Sequence, residues 1–117
     1  MKILVCEDDP VVLKTMEVAL RLEGTEVQLV SNGEKALACL AANRYDLIFS
    51  DIHMPYATGA DVMEYVRQHN ISTPVVIVSS DDEEEVVALA RKMGVHAFLS
   101  KPVDVEKVRK IVRDLKK

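Results

Sequence analysis

Short apolar runs alternate along the chain with longer stretches in which apolar residues recur every three or four positions. The apolar runs, which contain almost no polar residues, lie at residues 3–6, 27–30, 47–50, 75–78 and 97–100. Runs of this kind are typical of strands that are buried on both faces of a parallel sheet. The spacing in the intervening stretches is that of a helix with one apolar face. The pattern therefore predicts five strand–helix units that form one α/β domain over residues 1–117.

Residues that favour helix termini mark the beginning of each helical stretch. Asp9 before Pro10 predicts the start of the first helix, and Gly24 predicts its end. The other four helix starts are predicted at Ser31-Asn32-Gly33, at Thr58, at Ser80 or Asp81, and at Asp104. The residues predicted to face the core include Val11, Leu13, Met16, Ala19 and Leu20 of the first helix and Val86, Leu89, Ala90 and Met93 of the fourth. Parallel strands joined by right-handed helical crossovers form an open, doubly wound sheet.

The composition excludes a disordered chain and a membrane-spanning one. The chain has 117 residues, of which 49% are hydrophobic and 29% are charged. No stretch approaches the roughly 18 consecutive apolar residues of a membrane span, and acidic residues appear too early for a secretory signal. Cys6 and Cys39 are predicted to be buried free thiols, because two cysteines are too few for a disulfide scaffold. We therefore expect a cytoplasmic protein that does not contact a membrane.

The charge is distributed unevenly between the body of the chain and its C-terminal end. The net charge is −4, but residues 1–100 hold 8 Lys and Arg against 16 Asp and Glu, whereas residues 101–117 hold 7 against 3. An acidic domain is not expected to bind nucleic acid directly, because that affinity comes mostly from phosphate neutralisation. The basic end is interpreted as a solvated helix face, with a protein interface as the alternative. The acidic run at residues 81–85 suits a helix N-terminus, with partner selection as the alternative.

Residues with chemically useful side chains stand just past the C-terminal ends of four predicted strands. Glu7 and Asp8 follow the first strand, Asp51 the third, Ser79 the fourth and Lys101 the fifth. In open α/β sheets the functional crevice lies at this edge, where the strand order reverses. In the flavodoxin-like order 2-1-3-4-5 the reversal falls between strands one and three. This order predicts that Glu7, Asp8 and Asp51 lie side by side.

Three clustered carboxylates indicate a cation site. At about 4 Å and an effective dielectric of about 20, each pair repels by roughly 4 kcal/mol before screening. A hard divalent cation relieves this repulsion, and Mg²⁺ is the first choice, with Mn²⁺ as the alternative. A carboxylate between such an ion, the Lys101 ammonium and the Ser79 hydroxyl can accept a phosphoryl group, because the cations neutralise the developing charge.

At these residues the chain resembles the receiver domain of two-component response regulators, and the resemblance covers nearly its whole length. Its markers, in order, are ILVCEDD at residues 3–9, DLIFSDIHMP at 46–55, Gly59, PVVIVS at 74–79 and FLSKP at 98–102. The resemblance implies a single receiver domain with a flavodoxin-like fold of five parallel strands and five helices. It also implies a signalling switch that is not a conventional enzyme, although it catalyses its own phosphorylation and slow dephosphorylation.

The resemblance implies a role for each acidic residue of the site. Asp51 is implied as the aspartate that a histidine kinase or a histidine phosphotransfer protein phosphorylates. Glu7 and Asp8 are implied as the acidic pair that holds Mg²⁺ together with Asp51. His53 is implied to offer its backbone carbonyl to the metal, and its imidazole stands where other residues are commoner in the family.

Further roles implied by the resemblance concern the switch and the output. Ser79 is implied as the hydroxyl that moves to bond the phosphoryl group, and Phe98 as the aromatic residue that turns inward with it. Lys101 is implied as the phosphate-pairing lysine, followed by a peptide bond to Pro102 that is usually cis in the family. The face built from the fourth helix, fifth strand and fifth helix is implied to bind a downstream protein effector. We expect a monomer or a weak, phosphorylation-dependent dimer.

Three other functions compete with this interpretation. A metal-dependent aspartyl-phosphate phosphatase of the haloacid-dehalogenase type would carry a second Asp where His53 stands. A flavodoxin-like cofactor binder would not place the acidic residues 7–9 where its phosphate loop should be. A pseudo-receiver that binds partners without phosphorylation would not need the full set of Asp51, Ser79 and Lys101. Whether the chain is a stand-alone receiver or part of a longer regulator or hybrid kinase stays open.

Overall fold

The computed structural model describes residues 1–54, 56–81 and 83–117. Strands and helices alternate throughout: β1 (Lys2–Cys6), α1 (Pro10–Leu22), β2 (Glu26–Val30), α2 (Gly33–Ala42), β3 (Leu47–Ser50), α3 (Gly59–Gln68), β4 (Val75–Ser79), α4 (Glu84–Lys92), β5 (Ala97–Ser100) and α5 (Val105–Lys116). The strands form one sheet in the order β2-β1-β3-β4-β5, and every pairing is parallel. The predicted strand order is confirmed, and each predicted strand agrees with the observed one to within one residue at either end.

Helices cover both faces of the sheet, because successive strand residues point to opposite sides. One face packs against α1 and α5, and its buried cluster contains Ile3, Val5, Met16, Ala19, Leu20, Leu47, Phe49, Val76, Val78, Val108 and Val112. The other face carries the cluster that includes α2 and α3, with Leu4, Cys6, Val30, Ala36, Leu40, Tyr45, Ile48, Met54, Val62, Met63, Val66, Val75 and Ile77. The central strands β1, β3 and β4 are therefore buried on both sides.

Polar side chains cap four helices at the predicted positions, and at α2 the Asn32 side-chain oxygen accepts a hydrogen bond from the Lys35 amide at 2.8 Å. The Asp9 carboxylate accepts a hydrogen bond from the Val11 amide at 2.9 Å, and Pro10 is the first residue of α1. Thr58 and Asp61 form a reciprocal capping box at the start of α3. Asp104 caps α5 in the same way as Asp9 caps α1. Each cap stabilises its helix by about 1 kcal/mol, so that these helices start where their residues are needed around the sheet.

The start of α4 was predicted wrongly. The helix begins at Glu84, and Glu83 stands at the cap position without a side-chain hydrogen bond to the helix. Asp81 lies two residues before this cap position; its carboxylate contacts His53 Nε2 at 3.1 Å and its amide donates a hydrogen bond to Ser79 Oγ at 3.1 Å. Two residues that entered the sequence predictions, Pro55 and Asp82, lie outside the described residues.

Burial also departs from the prediction at the edges of the domain. Strands β2 and β5 are mostly half-buried rather than buried on both faces, because each has a neighbour on only one side. Val11 and Leu89 were predicted to face inward, but they are 74% and 57% exposed. Both cysteines are free as predicted, although Cys39 is only half-buried.

Most basic residues of the C-terminal helix are exposed as predicted, but two of them also contact the end of α1. The carboxylate of Glu23 accepts hydrogen bonds from Arg109 Nε at 2.7 Å and from Arg113 Nη2 at 3.1 Å. These hydrogen bonds lower the pKa of Glu23. Arg109 and Arg113 therefore connect α5 to the end of α1. Within the described part of the chain, no helix combines the length and apolar character needed to cross a bilayer.

Candidate functional site

The register of β1 and β3 brings three carboxylates to one edge of the sheet. Cys6 pairs with Ser50, and the Asp51 amide continues the ladder by donating to the Cys6 carbonyl at 3.0 Å. Glu7 and Asp51 therefore occupy neighbouring positions directly after the ends of β1 and β3. Oxygen atoms of Glu7, Asp8 and Asp51 lie within 4.8 Å of one another. The structure thus places these three residues together, as the strand order predicted.

Lys101 follows the edge strand β5, and its side chain reaches two of these carboxylates across the end of β4. Its backbone amide donates to the Ser79 carbonyl at 2.9 Å, which extends the β4–β5 ladder by one residue. Its ammonium Nζ donates to Glu7 Oε1 at 2.7 Å and to Asp51 Oδ2 at 2.8 Å. The bond from Lys101 to Pro102 is cis, as the resemblance implied.

Burial and the lysine set the electrostatics of the site. Burial raises the pKa of Glu7 to about 7; the Lys101 hydrogen bond opposes this shift, and the negative charge of Asp51 adds to it. Burial alone would lower the pKa of Lys101, but its hydrogen bonds and ion pairs with Asp51 and Glu7 raise it. Lys101 is therefore an internal counterion for the carboxylates. The sequence argument, which considered carboxylate repulsion relieved only by a bound ion, missed this compensation.

The donor set fits a hard divalent cation. Glu7 and Asp51 are buried, whereas Asp8 is exposed and lies on the solvent side of the cluster. Mg²⁺ and Mn²⁺ prefer carboxylate oxygens of this kind and retain water on their open side. The cluster therefore provides protein ligands on one side and access for water or phosphate on the other.

His53 lies at the rim of the site, and its imidazole is used elsewhere. The His53 amide donates to Asp51 Oδ1 at 3.2 Å, which fixes the carboxylate from the loop side. The imidazole is largely exposed and pairs with Asp81 across 28 residues of sequence. Sequence reasoning missed this contact, since no local pattern connects residues so far apart. A metal-ligating carbonyl at His53 stays a prediction.

Ser79 and Phe98, the two predicted switch residues, lie on neighbouring strands. Ser79 ends β4, is fully buried, and accepts a hydrogen bond at Oγ from the Asp81 amide. Phe98 on β5 is half-buried and packs against the cluster on the α2 and α3 side. Ile77 pairs with Phe98 and Ser79 pairs with Ser100, so Ser79 and Phe98 are offset by two positions along the β4–β5 ladder. Their roles in switching stay predictions.

Gly59 allows α3 to approach the backbone of Asp51. A Cβ atom at Gly59 would lie 2.3 Å from the Asp51 carbonyl oxygen and 2.9 Å from the Ile52 Cα atom. The Gly59 amide donates to the Ile52 carbonyl at 2.9 Å, which closes the loop between β3 and α3. The position of the acceptor loop therefore depends on the absence of a side chain at residue 59.

Fold and site together define a flavodoxin-like α/β domain with an acidic, lysine-bridged site at the carboxyl edge of its sheet. Residues 3–113 match the sequence model of the response regulator receiver domain, and the chain belongs to this family. Members of the family are generally signalling switches rather than enzymes, and Mg²⁺ and phosphoaspartate are characteristic of them.

Individual relatives resemble the chain over almost its full length. The two-component response regulator ORR21 of Oryza sativa subsp. indica is 36% identical over 116 residues, which are 95% of this chain and 16% of that protein. The receiver domain of a Francisella response regulator superimposes with a TM-score of 0.91 at 31% identity, covering 97% of this chain and 94% of that one. The chemotaxis protein CheY4 of Vibrio cholerae gives a TM-score of 0.86 at 27% identity and covers 97% of both chains. The chain spans between 16% and 52% of the length of the curated relatives that it matches.

Proposed function

We propose that the protein is a phosphorylation-activated signalling switch, in which Asp51 accepts a phosphoryl group from a histidine kinase or a histidine phosphotransfer protein. The observation that carries this proposal is the double contact of Lys101 Nζ with Glu7 and Asp51, at 2.7 and 2.8 Å, beside the exposed Asp8. A buried carboxylate that is held by a lysine and lies beside a cation-binding pair suits phosphoryl transfer. We place the protein in the cytoplasm.

The chain's own residues orient the acceptor and neutralise charge. An oxygen of Asp51 attacks the phosphorus atom, the new P–O bond forms as the P–N bond of the donor histidine breaks, and the imidazole nitrogen keeps the electron pair. Lys101 holds Asp51 on one side and the His53 amide holds it on the other. A Mg²⁺ ion held by Glu7, Asp8, Asp51 and the His53 carbonyl would supply further positive charge for the phosphoryl oxygens.

Ser79 connects the acceptor to the rest of the domain. Its hydroxyl now accepts a hydrogen bond from the Asp81 amide. In the phosphorylated state this hydroxyl donates to a phosphoryl oxygen instead, and the loop before α4 moves with it. Because only Ala90 of α4 is fully buried and the helix has no side-chain cap, α4 can follow that motion at low cost. The switch thereby changes the face of α4, β5 and α5, with Phe98 moving inward, where a protein effector binds.

A hydrolase and a phosphorylation-independent module make different predictions from a switch. A hydrolase turns over phosphate esters steadily, whereas the proposed switch takes up one phosphoryl group on itself and releases it slowly. A pseudo-receiver is not phosphorylated when a phosphodonor is added.

The test is phosphorylation by acetyl phosphate in the presence of Mg²⁺, followed by intact-protein mass spectrometry. The wild-type chain is expected to gain one phosphoryl group and Asp51→Asn none, since asparagine keeps the shape but not the nucleophilic carboxylate. Asp46→Asn is the matched control, because Asp46 is exposed and precedes the opposite end of β3, and it should be labelled like wild type. Labelling of Asp51→Asn at the wild-type level would overturn the assignment.

A further inference from the structure

Helix α4 is attached to the domain by little of its surface. Ala90 is its one fully buried residue among those the structure describes, and Leu89 remains 57% exposed. Ala90 also lies outside both buried clusters that fill the two faces of the sheet. The helix therefore lies over the sheet without the large side chains that anchor α1, α3 and α5.

A cavity of about 240 Å³, which is open to solvent on one side, lies between α3 and α4. Its wall is formed mainly by Ala60 and Met63 of α3, Ile77 of β4, Val86, Leu89 and Ala90 of α4, and Met93 directly after α4. Small residues form part of its lining, with Gly59 and Ala60 on one side and Ala90 on the other. In the described part of the chain, the polar residues of the wall are His53 and Asp81, and both lie at the rim, where they pair with each other.

The chemistry of the wall decides what can occupy this cavity. Water against walls of aliphatic carbon finds few hydrogen-bonding partners, so an apolar ligand can displace it at little cost. An apolar protein cavity of about 150 Å³ holds a benzene molecule. A cavity of about 240 Å³ therefore has room for two fused rings. A charged molecule would lose its hydration inside without compensation.

We propose that the cavity between α3 and α4 is a binding site for a small, uncharged, planar aromatic molecule of about the size of indole. Its rings would lie between Met63 and Ala90, and its edge would face the His53–Asp81 pair. Apolar burial drives such binding, and the packing that it adds fixes α4 to α3.

Occupation of the cavity is coupled to the acceptor site through the rim. The Asp81 amide donates a hydrogen bond to Ser79 Oγ, and the His53 amide donates one to Asp51 Oδ1. A ligand that holds α4 and this rim in their present positions opposes movement of Ser79, so it should weaken binding of a phosphoryl analogue. This coupling rests on the proposed function, whereas ligand binding itself does not.

The test is a titration of the ¹⁵N-labelled protein with indole, followed by amide NMR and by thermal unfolding. Saturable shifts are expected at Met63, Ala90 and Met93, together with a rise in Tm. The Asp51→Asn variant should bind indole as wild type does, so a failure of phosphorylation and a failure of ligand binding are told apart. Shifts that do not saturate, or that map to the α1 and α5 side, would overturn the proposal.

A substitution that fills the cavity with a larger side chain tests where indole binds. Ala90→Leu should weaken indole binding at least tenfold and raise the Tm of the free protein by about 2–5 °C, because the leucine takes the ligand's place. Ala38→Leu, at an exposed position of α2, makes the same substitution away from the cavity and should bind indole normally. If Ala90→Leu does not fold, Ala60→Leu fills the opposite wall and serves instead. Undiminished binding by the folded cavity-filling variant would contradict the assigned site.

Discussion

Lys101 and Glu7, 94 residues apart in the sequence, form an ion pair with 2.7 Å between Nζ and Oε1. The pair lies at the carboxyl edge of the sheet, and both side chains are largely buried. A buried carboxylate beside a second one, Asp51, is tolerated here because the same ammonium contacts both. The stability of the metal-free protein and its affinity for cations are therefore expected to depend on the same few groups.

The raised pKa of Glu7 predicts how stability depends on pH. The pKa is about 7 in the folded protein against 4.5 for an ordinary glutamate, so the folded state holds this proton more tightly than the unfolded state. The contribution of Glu7 to stability is therefore most favourable below pH 4.5 and decreases as the pH rises to about 7. Urea unfolding without divalent cations should show this decrease for wild type and not for Glu7→Gln. The control Glu26→Gln, at an exposed position, should follow wild type.

Removal of the lysine should be costly because it leaves buried charge unpaired. Lys101→Met is expected to reduce the free energy of unfolding by about 3 kcal/mol at pH 8, which lies above the pKa of about 7 of Glu7. The loss should shrink toward pH 5 as Glu7 becomes protonated. Lys107→Met, on the exposed side of α5, should change stability by less than about 0.5 kcal/mol. An equal loss in the two variants would contradict the role of Lys101 as a counterion.

Alanine substitution of the adjacent residues Asp8 and Asp9 should change the stability of the metal-free fold in opposite directions. Asp8→Ala removes an exposed member of the acidic cluster, so Mg²⁺ binding should weaken while the metal-free fold gains up to about 1 kcal/mol. Asp9→Ala removes the cap of α1, so the fold should lose about 1 kcal/mol while Mg²⁺ binding stays near the wild-type value. Isothermal titration with Mg²⁺ and denaturant unfolding separate the two effects. Loss of metal-free stability in Asp8→Ala would count against carboxylate repulsion.

Gly59 should matter to both stability and chemistry. Gly59→Ala places a Cβ atom 2.3 Å from the Asp51 carbonyl, so it is expected to destabilise the fold by about 1–3 kcal/mol and to slow phosphorylation of Asp51. At Gly94 a Cβ atom meets nothing within 4 Å, but φ is +89°. Gly94→Ala should therefore cost about 1 kcal/mol through the backbone alone and leave phosphorylation unchanged. If both variants are phosphorylated at wild-type rates, the close approach of α3 does not position the acceptor.

Local patterns were sufficient to predict the sheet and the meeting of its carboxylates. Apolar runs mark the strands, Asp9, Thr58 and Asp104 mark helix starts, and the reversal of strand order brings Asp51 next to Glu7. These predictions depend on neighbours in sequence or on a general rule of topology. They succeed because the core and the caps act locally.

Contacts between distant loops could not be predicted in this way. Asp81, a residue type that favours helix caps, pairs with His53 and lies before α4, which starts at Glu84. Leu89 fits the helical period of inward residues, yet it is 57% exposed and lies at the open cavity between α3 and α4. Each of these outcomes depends on which side chains face one another in three dimensions.

The most direct test of the acceptor site is an amide NMR titration with Mg²⁺ followed by beryllofluoride, which imitates a phosphoryl group on an aspartate. The first addition should shift signals around residues 7, 8 and 51, and the second should extend the changes to residues 79–101. Loss of both responses in Asp51→Asn, with an unchanged response in Asp46→Asn, would agree with the account. Mg²⁺ shifts centred away from the three carboxylates, or beryllofluoride changes that are equal in wild type and Asp51→Asn, would contradict it.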